Sequence, residues 1–236
     1  MEANKEKLMQ DYIIEYIKKS NCTIVDSYDS KFYNIFVISD SHANKKLIKY
    51  IMGYRRHKIA IKDVYNKLLS IKHFNIVEIY EIIEKNEDFF IIMEYIEGLT
   101  LNQYIKRNYY YADDRNLIEL RHIFKNIALT IDHFNDLGIL HTDIIGANII
   151  IQKNLEIKII DFDFAILGYS SDDYINIDLC SYKVMFFQII YEQLYLNQKY
   201  DLFKNTAIKE KNKLFFSNHS NSKNCIDFLH QINLLE

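Results

Sequence analysis

Proline and tryptophan are absent from the 236 residues, and glycine occurs only five times and cysteine three times. Without proline, turns must be made by Asn, Asp, Ser and the few glycines, so element boundaries are weakly marked. Cys22, Cys180 and Cys225 are odd in number, far apart and without metal-ligand spacing, which fits ordinary thiols in a reducing compartment. A large excess of either charge is also missing. The formal net charge of −3 gives no reason to expect nucleic acid as a partner. No run approaches the roughly 18 apolar residues of a membrane span. The N-terminal MEANKEKLMQDYIIEYIKKS is charged within its apolar part, unlike a signal peptide. These absences lead us to expect a soluble, cytoplasmic chain with no transmembrane segment.

What is present is patterned apolar sequence. Residues 23–27, 32–38 and 46–51 read as the first three strands of an antiparallel sheet. From Lys58 to Lys72 the positions Ile61, Val64, Leu68 and Ile71 recur at helical spacing, and IVEIYEIIE and DFFIIMEYIEG add two strands around KNED. Leu8, Tyr12 and Tyr16 mark a short amphipathic helix ahead of the sheet, expected to dock on the core.

Beyond Gly98 the pattern turns helical. Leu99–Arg107 is short, and Leu117–Leu137 is long, with the stripe Ile123, Ile127, Ile131 and Phe134 ended by Gly138. NIIIQ and EIKIID form a hairpin, Leu179–Tyr195 an apolar helix, 217–224 a polar loop and IDFLHQINLL a closing helix. Strands first and helices after give a two-lobed α+β plan within a single domain over 1–236. The N-lobe with its joint would occupy 1–97 and the helical C-lobe 98–236, with a ligand cleft expected between them.

The chemistry concentrates in ILHTDIIGANIIIQKNLEIKIIDFDFA, residues 139–165. His141-x-Asp143 and Asn148 share one loop, and Asp161 follows the strand that pairs beside them. Phosphoryl transfer needs oxygen ligands for Mg²⁺ and a carboxylate to orient the acceptor hydroxyl. Asn148 and Asp161 suit the first task, and Asp143 the second.

H-x-D-x4-N, a hairpin, then D-F-x resembles the catalytic signature of the protein-kinase-like superfamily. KHFNIVEIYEIIE, IIMEYIEG and DLCSYKVMFFQIIYE extend the likeness over residues 22–195. The resemblance implies ATP and Mg²⁺ as cofactors. It also implies that Met93 precedes the hinge and that backbone groups of Glu94 and Ile96 hold the adenine edge. His141 would be structural, and Asp178 would accept hydrogen bonds from catalytic-loop amides. For the phosphate-anchoring lysine, Lys49 competes with Lys62 in IAIK. A strand ending at Lys62 would leave only about a dozen residues before HFNIV, too few for a loop and a helix, so Lys49 is expected. Asp63 is expected as its ion-pair partner.

The chain departs from that pattern in several places. The first hairpin has no glycine, leaving Ser30-Lys31 where a glycine cradle would bind phosphate. Asp163 adds a second acid that is either a further metal ligand or a solvated or backbone-capping group. Asp161 and Asp178 are only seventeen residues apart, and Ile145 stands where protein kinases usually place lysine. The compact layout is similar to bacterial lipopolysaccharide-core heptose kinases, which makes a saccharide hydroxyl the expected acceptor. A serine/threonine protein kinase and a nucleotide-binding or scaffolding pseudokinase are the alternatives. The basic stretch from Lys45 to Lys62, with Arg55, Arg56, His57 and Lys58, reads as a solvated face in preference to a contact for an anionic acceptor such as a phosphorylated saccharide.

Overall fold

Short apolar runs in the first hundred residues build a five-stranded antiparallel sheet in the order β1-β2-β3-β5-β4. Its strands are β1 Thr23–Asp29, β2 Asn34–Ser39, β3 Lys45–Ile51, β4 Ile79–Lys85 and β5 Asp88–Glu94. The structure is a computed structural model that describes residues 2–29, 34–51, 58–85, 88–108, 114–168, 177–189 and 222–232. Ser30-Lys31, Arg55 to His57, the 190–195 end of the apolar helix and most of the 217–224 loop lie outside those residues.

The chain divides into two compact units. Unit 1 is Met1–His73 with Val77–Ile96, and unit 2 is Phe74–Ile76 with Glu97–Glu236. The division at Ile96/Glu97 falls beside the expected joint, but Phe74–Ile76 was not expected in the second unit. Ile76 reads as the start of a strand, yet β4 begins only at Ile79. Ile76 instead forms a parallel bridge with Ile159, and the Asn75 carbonyl accepts the Ile159 N–H at 2.8 Å.

In unit 1, helix α1 (Glu2–Ser20) covers one face of the sheet. Met9, Tyr12 and Ile13 recur at helical spacing and pack with Ile38, Ile48, Tyr50, Phe90 and Ile92. Because side chains alternate along β3, Ile48 and Tyr50 meet α1 while Leu47, Lys49 and Ile51 belong to the opposite face. Helix α2 (Lys58–Leu69) turns Ile61, Val64, Tyr65 and Leu68 inward. It ends three residues before the expected Lys72, where the Ser70 N–H bonds to the Lys67 carbonyl.

Unit 2 contains β6 (Leu99–Thr100), α3 (Leu101–Asn108), α4 (Asp114–Asp136), β7 (Ile139–Leu140), β8 (Ile149–Ile151), β9 (Ile157–Ile159), β10 (Ile166–Leu167), α5 (Ile177–Phe187) and α6 (Cys225–Gln231). The stripe Ile123, Ile127, Ile131 and Phe134 of α4 is fully buried. Gly138 then takes φ +74°, a left-handed conformation that suits glycine at a helix end. Asp132 of α4 accepts the Cys225 and Ile226 N–H groups at 2.9 and 3.0 Å, which ties α6 to α4. The Tyr182 hydroxyl of α5 donates to the Phe124 carbonyl at 2.9 Å. Among the described residues no helix is long and apolar enough to cross a membrane, and all three cysteines are free thiols.

Among the described residues, the α1 seam contains one unsatisfied group. Tyr12 stacks on Phe90 with ring centroids 3.8 Å apart, and Lys85, ion-paired to Glu15 at 2.6 Å, lies over the Tyr12 ring. Its hydroxyl is buried with no hydrogen-bond partner among the described residues, and burial raises its pKa well above the ordinary tyrosine value. An unmade hydrogen bond at a buried polar atom costs about 1–3 kcal/mol, so Tyr12→Phe is expected to stabilise the protein by about 1 kcal/mol or more. Urea unfolding checks this; a loss of stability would mean that the hydroxyl has a partner.

Candidate functional site

Two loops of unit 2 are held side by side by their flanking strands. The first, from His141 to Asn148, runs from β7 to β8; the second, from Ile160 to Ala165, runs from β9 to β10. Since β7 pairs with β10 and β8 with β9, both ends of each loop are fixed against the other. The Ile160 N–H bonding to the Asn148 carbonyl at 2.9 Å extends the second pairing by one step. Asn148 and Asp161 therefore stand at the same end of the hairpin.

The first loop is shaped by Asp178, in the first turn of α5. Its two carboxylate oxygens accept the backbone N–H groups of His141 and Thr142, both at 2.7 Å. Burial raises the Asp178 pKa and the two amide bonds oppose that shift. Because both oxygens accept, the ionised carboxylate is the form that satisfies the geometry.

His141 is fully buried and neutral, its pKa lowered by burial. Its Nε2–H donates to the Ile160 carbonyl at 2.9 Å, and its Nδ1 accepts the Asp143 N–H at 3.3 Å. The ring thus links the two loops in one tautomer. Phe162 packs on it with centroids 4.4 Å apart and meets Phe134 edge-on at 5.7 Å, so the side chain after Asp161 is anchored in the core.

Asp143 is oriented by Asn148, whose Nδ2 donates to the Asp143 carbonyl at 3.0 Å and to its Oδ2 at 2.8 Å. No donor reaches Asp143 Oδ1 among the described residues. With its Nδ2 so engaged, Asn148 must turn Oδ1 the other way, and there it is a hard oxygen able to ligate a cation. Asp161 supplies a carboxylate at the same hairpin end, so the donor chemistry fits Mg²⁺. Asp163 is buried, which excludes the solvated reading for it.

Thr142 was not singled out from sequence. It has φ +63°, rare for a β-branched residue, and Asp161 has φ +65°. The Thr142 N–H is held by Asp178, and its hydroxyl donates to the Phe164 carbonyl at 2.8 Å. Thr142 is thus a second bridge between the loops. No sequence signal marks it, because only the αL conformation makes that reach possible.

In unit 1, Lys49 lies in β3 between Ile35 and Ile91 and is only 4% exposed. Lys62 lies in α2, not in a third strand, and is ion-paired to Glu84. Asp63 is exposed on α2, and no ion pair between it and Lys49 forms among the described residues. The inward stripe of α2 occupies the neighbouring positions Val64 and Tyr65, which leaves Asp63 on the solvent side. The structure therefore does not bring the expected pair together.

Met93 is buried on β5 opposite Leu47, and the Glu94 N–H bonds to the Glu78 carbonyl at 2.9 Å. Ile96 follows the strand, and its backbone N–H and C=O make no hydrogen bond among the described residues.

The family described as protein kinase domain matches residues 37–182 of this chain. A serine/threonine-protein kinase of Bacillus subtilis (strain 168), PrkC, is 38% identical over 96 residues, covering 41% of this chain and 14% of that protein. The serine/threonine-protein kinase cds1 of Schizosaccharomyces pombe is 28% identical over 141 residues, covering 60% and 29% respectively. Sperm motility kinase 2A of Mus musculus is 34% identical over 99 residues, covering 42% and 19%. The chain thus spans between 14% and 29% of the length of these relatives. Among solved structures, the autoinhibited serine kinase domain of the giant muscle protein titin superposes with a TM-score of 0.61 at 20% identity, over 72% of this chain and 60% of that one. That likeness shows a shared two-lobed α+β fold.

Asp178→Asn would turn an amide NH₂ toward one of the two buried backbone N–H groups. We expect a loss of about 2–3 kcal/mol, the cost of a charge-assisted hydrogen bond left unmade. Chemical denaturation of both proteins measures it, and unchanged stability would show that the carboxylate does not hold the loop.

Proposed function

The chain belongs to the protein kinase domain family, and from that premise we propose that it is an ATP-dependent phosphotransferase whose acceptor is a serine or threonine hydroxyl of a protein. The observation that carries this reading is the Asp143–Asn148 pair, a carboxylate with one oxygen tied and the other open to an acceptor. In the proposed reaction Asp143 takes the hydroxyl proton as the acceptor oxygen bonds to the γ-phosphorus. The bond to the bridging oxygen breaks, and its electron pair leaves with ADP.

Asn148 Oδ1 and the Asp161 carboxylate would hold Mg²⁺, which neutralises charge on the phosphates when bound. Lys49 would meet the phosphates, and the unengaged backbone groups of Ile96 would accept the adenine edge beside the Glu94 carbonyl. Asp63, exposed on α2, is left out of the proposed machinery. His141, Thr142 and Asp178 position the loop without touching substrate.

The relatives named above favour a protein acceptor, and two of them carry serine/threonine-protein kinase in their names. A saccharide hydroxyl, as in lipopolysaccharide core, is the second reading. Ile145 in place of a lysine two residues after Asp143 is the feature that favours it.

The test is phosphate transfer from ATP with Mg²⁺ to protein and to lipopolysaccharide core, followed by mass spectrometry. Asp143→Asn is expected to cut transfer by roughly 10²–10⁴-fold, the range for a general base, while ATP binding measured by calorimetry stays nearly intact. Lys49→Met should abolish turnover and Lys62→Met should leave most of it. Wild-type turnover in Asp143→Asn would remove Asp143 from the chemistry, and phosphate found only on saccharide would replace the protein acceptor.

A further inference from the structure

A cavity of about 620 Å³ opens beside Asp143 within unit 2, bounded by α3, the 142–146 loop and α5. Such a volume falls in the roughly 300–1,000 Å³ range of ligand sites. Its floor is apolar, with Ile105 and Met185 buried. Its rim carries apolar side chains turned to water, Ile145 at 44% exposure and Val184 at 52%. Among the described lining residues the only charged side chains are Asp143 and Lys106.

The position of Lys106 relative to Asp143 is built in. Leu101 and Ile105 anchor α3 in the core, which leaves Asn102 and Lys106, one helical turn apart, on the cavity side. Asn102 packs directly over Gly146, where any Cβ would collide with its side-chain amide. Gly146 belongs to the same loop as Asp143, so its missing side chain lets α3 close against that loop. Lys106 is exposed on the last turn, and no ion pair to it forms among the described residues.

We infer that this cavity receives the acceptor chain, and that it selects a hydroxyl-bearing peptide with an acidic side chain directed at Lys106 and an apolar one against Ile145 and Val184. A peptide with basic residues flanking the hydroxyl meets repulsion from Lys106 and gains attraction only from Asp143, which is committed to the hydroxyl. The exposed apolar rim favours an isoleucine or leucine neighbour, whose burial removes both surfaces from water. This assignment rests on the phosphotransferase reading with a protein acceptor, and it adds the acceptor's charge and polarity.

The experiment uses the full chain with ATP and Mg²⁺ and two serine peptides of equal length, one with glutamate and isoleucine flanks and one with arginine and asparagine flanks. Binding of their serine-to-alanine counterparts is followed in parallel by fluorescence anisotropy. We expect a higher kcat/KM for the acidic peptide, expressed in KM and reduced by added salt. Lys106→Glu should raise that KM by about fivefold, the upper range for an exposed charge pair, with kcat unchanged, and Lys106→Arg should preserve it. Val184→Asp should weaken binding of the acidic peptide as well.

Equal use of both peptides, or a preference for the basic one, overturns the assignment while leaving phosphotransfer intact. Indifference to Lys106→Glu does the same. If no acceptor is phosphorylated, yet the acidic alanine peptide binds in a Lys106-dependent manner, the cavity assignment stands and the catalytic reading fails. Phosphate transfer to a saccharide without binding of either peptide overturns the acceptor class and the cavity assignment together.

Discussion

A buried carboxylate that accepts two successive backbone N–H groups is the constraint from which the rest of the candidate site is built. Burying Asp178 would cost several kcal/mol if it were unpaired, and the 2.7 Å bonds from His141 and Thr142 offset that cost. They also hold Thr142 in a left-handed conformation that costs about 1–3 kcal/mol. From that fixed backbone the His141 ring reaches the Asp143 N–H on one side and the Ile160 carbonyl on the other. Phe162 then packs on the ring and sets the chain that carries Asp161. Helix α5 thereby controls two loops through one side chain.

Unit 2 uses the same device a second time. Asp132 accepts the consecutive amides of Cys225 and Ile226, so one carboxylate in α4 holds the start of α6 as Asp178 holds the start of the loop. Burial raises the pKa of Asp132 as it does that of Asp178. In both places two donors that would otherwise be orphaned share one charged acceptor, and the acceptor comes from an element distant in sequence. The second case gives the closing helix its place although the helix has only seven residues.

Much of this organisation is legible in the sequence, because apolar periodicity reports directly on which face is buried. The α4 stripe follows from it, and short apolar runs mark the five strands and the β8–β9 hairpin. Periodicity does not report the hydrogen-bonding partner, which is why Ile76 reads as part of β4 although its backbone bridges to β9. Spacing alone also misplaces Asp63, since α2 rotates so that its apolar side chains take the inward face. The roles proposed for Asp143 and Asn148 are suggested by residue type and spacing, whereas Thr142 is invisible there. Its bond to the Phe164 carbonyl depends on a backbone conformation that β-branched residues seldom adopt. The cavity proposed for the acceptor is less legible still, because it forms where α3 and α5 meet the loop and not from any contiguous motif.

The docking of α1 has a consequence for how the chain is made. Tyr12 rests on Phe90, seventy-eight residues later in the chain, and Met9 and Ile13 join the same cluster. At the ~5–20 residues per second of translation, roughly 4–16 s separate synthesis of the helix from that of β5. During that interval the apolar stripe of α1 has emerged without the sheet that will cover it. Until β5 is made, that stripe lacks Phe90 and Ile92, the residues on β5 that complete its cluster.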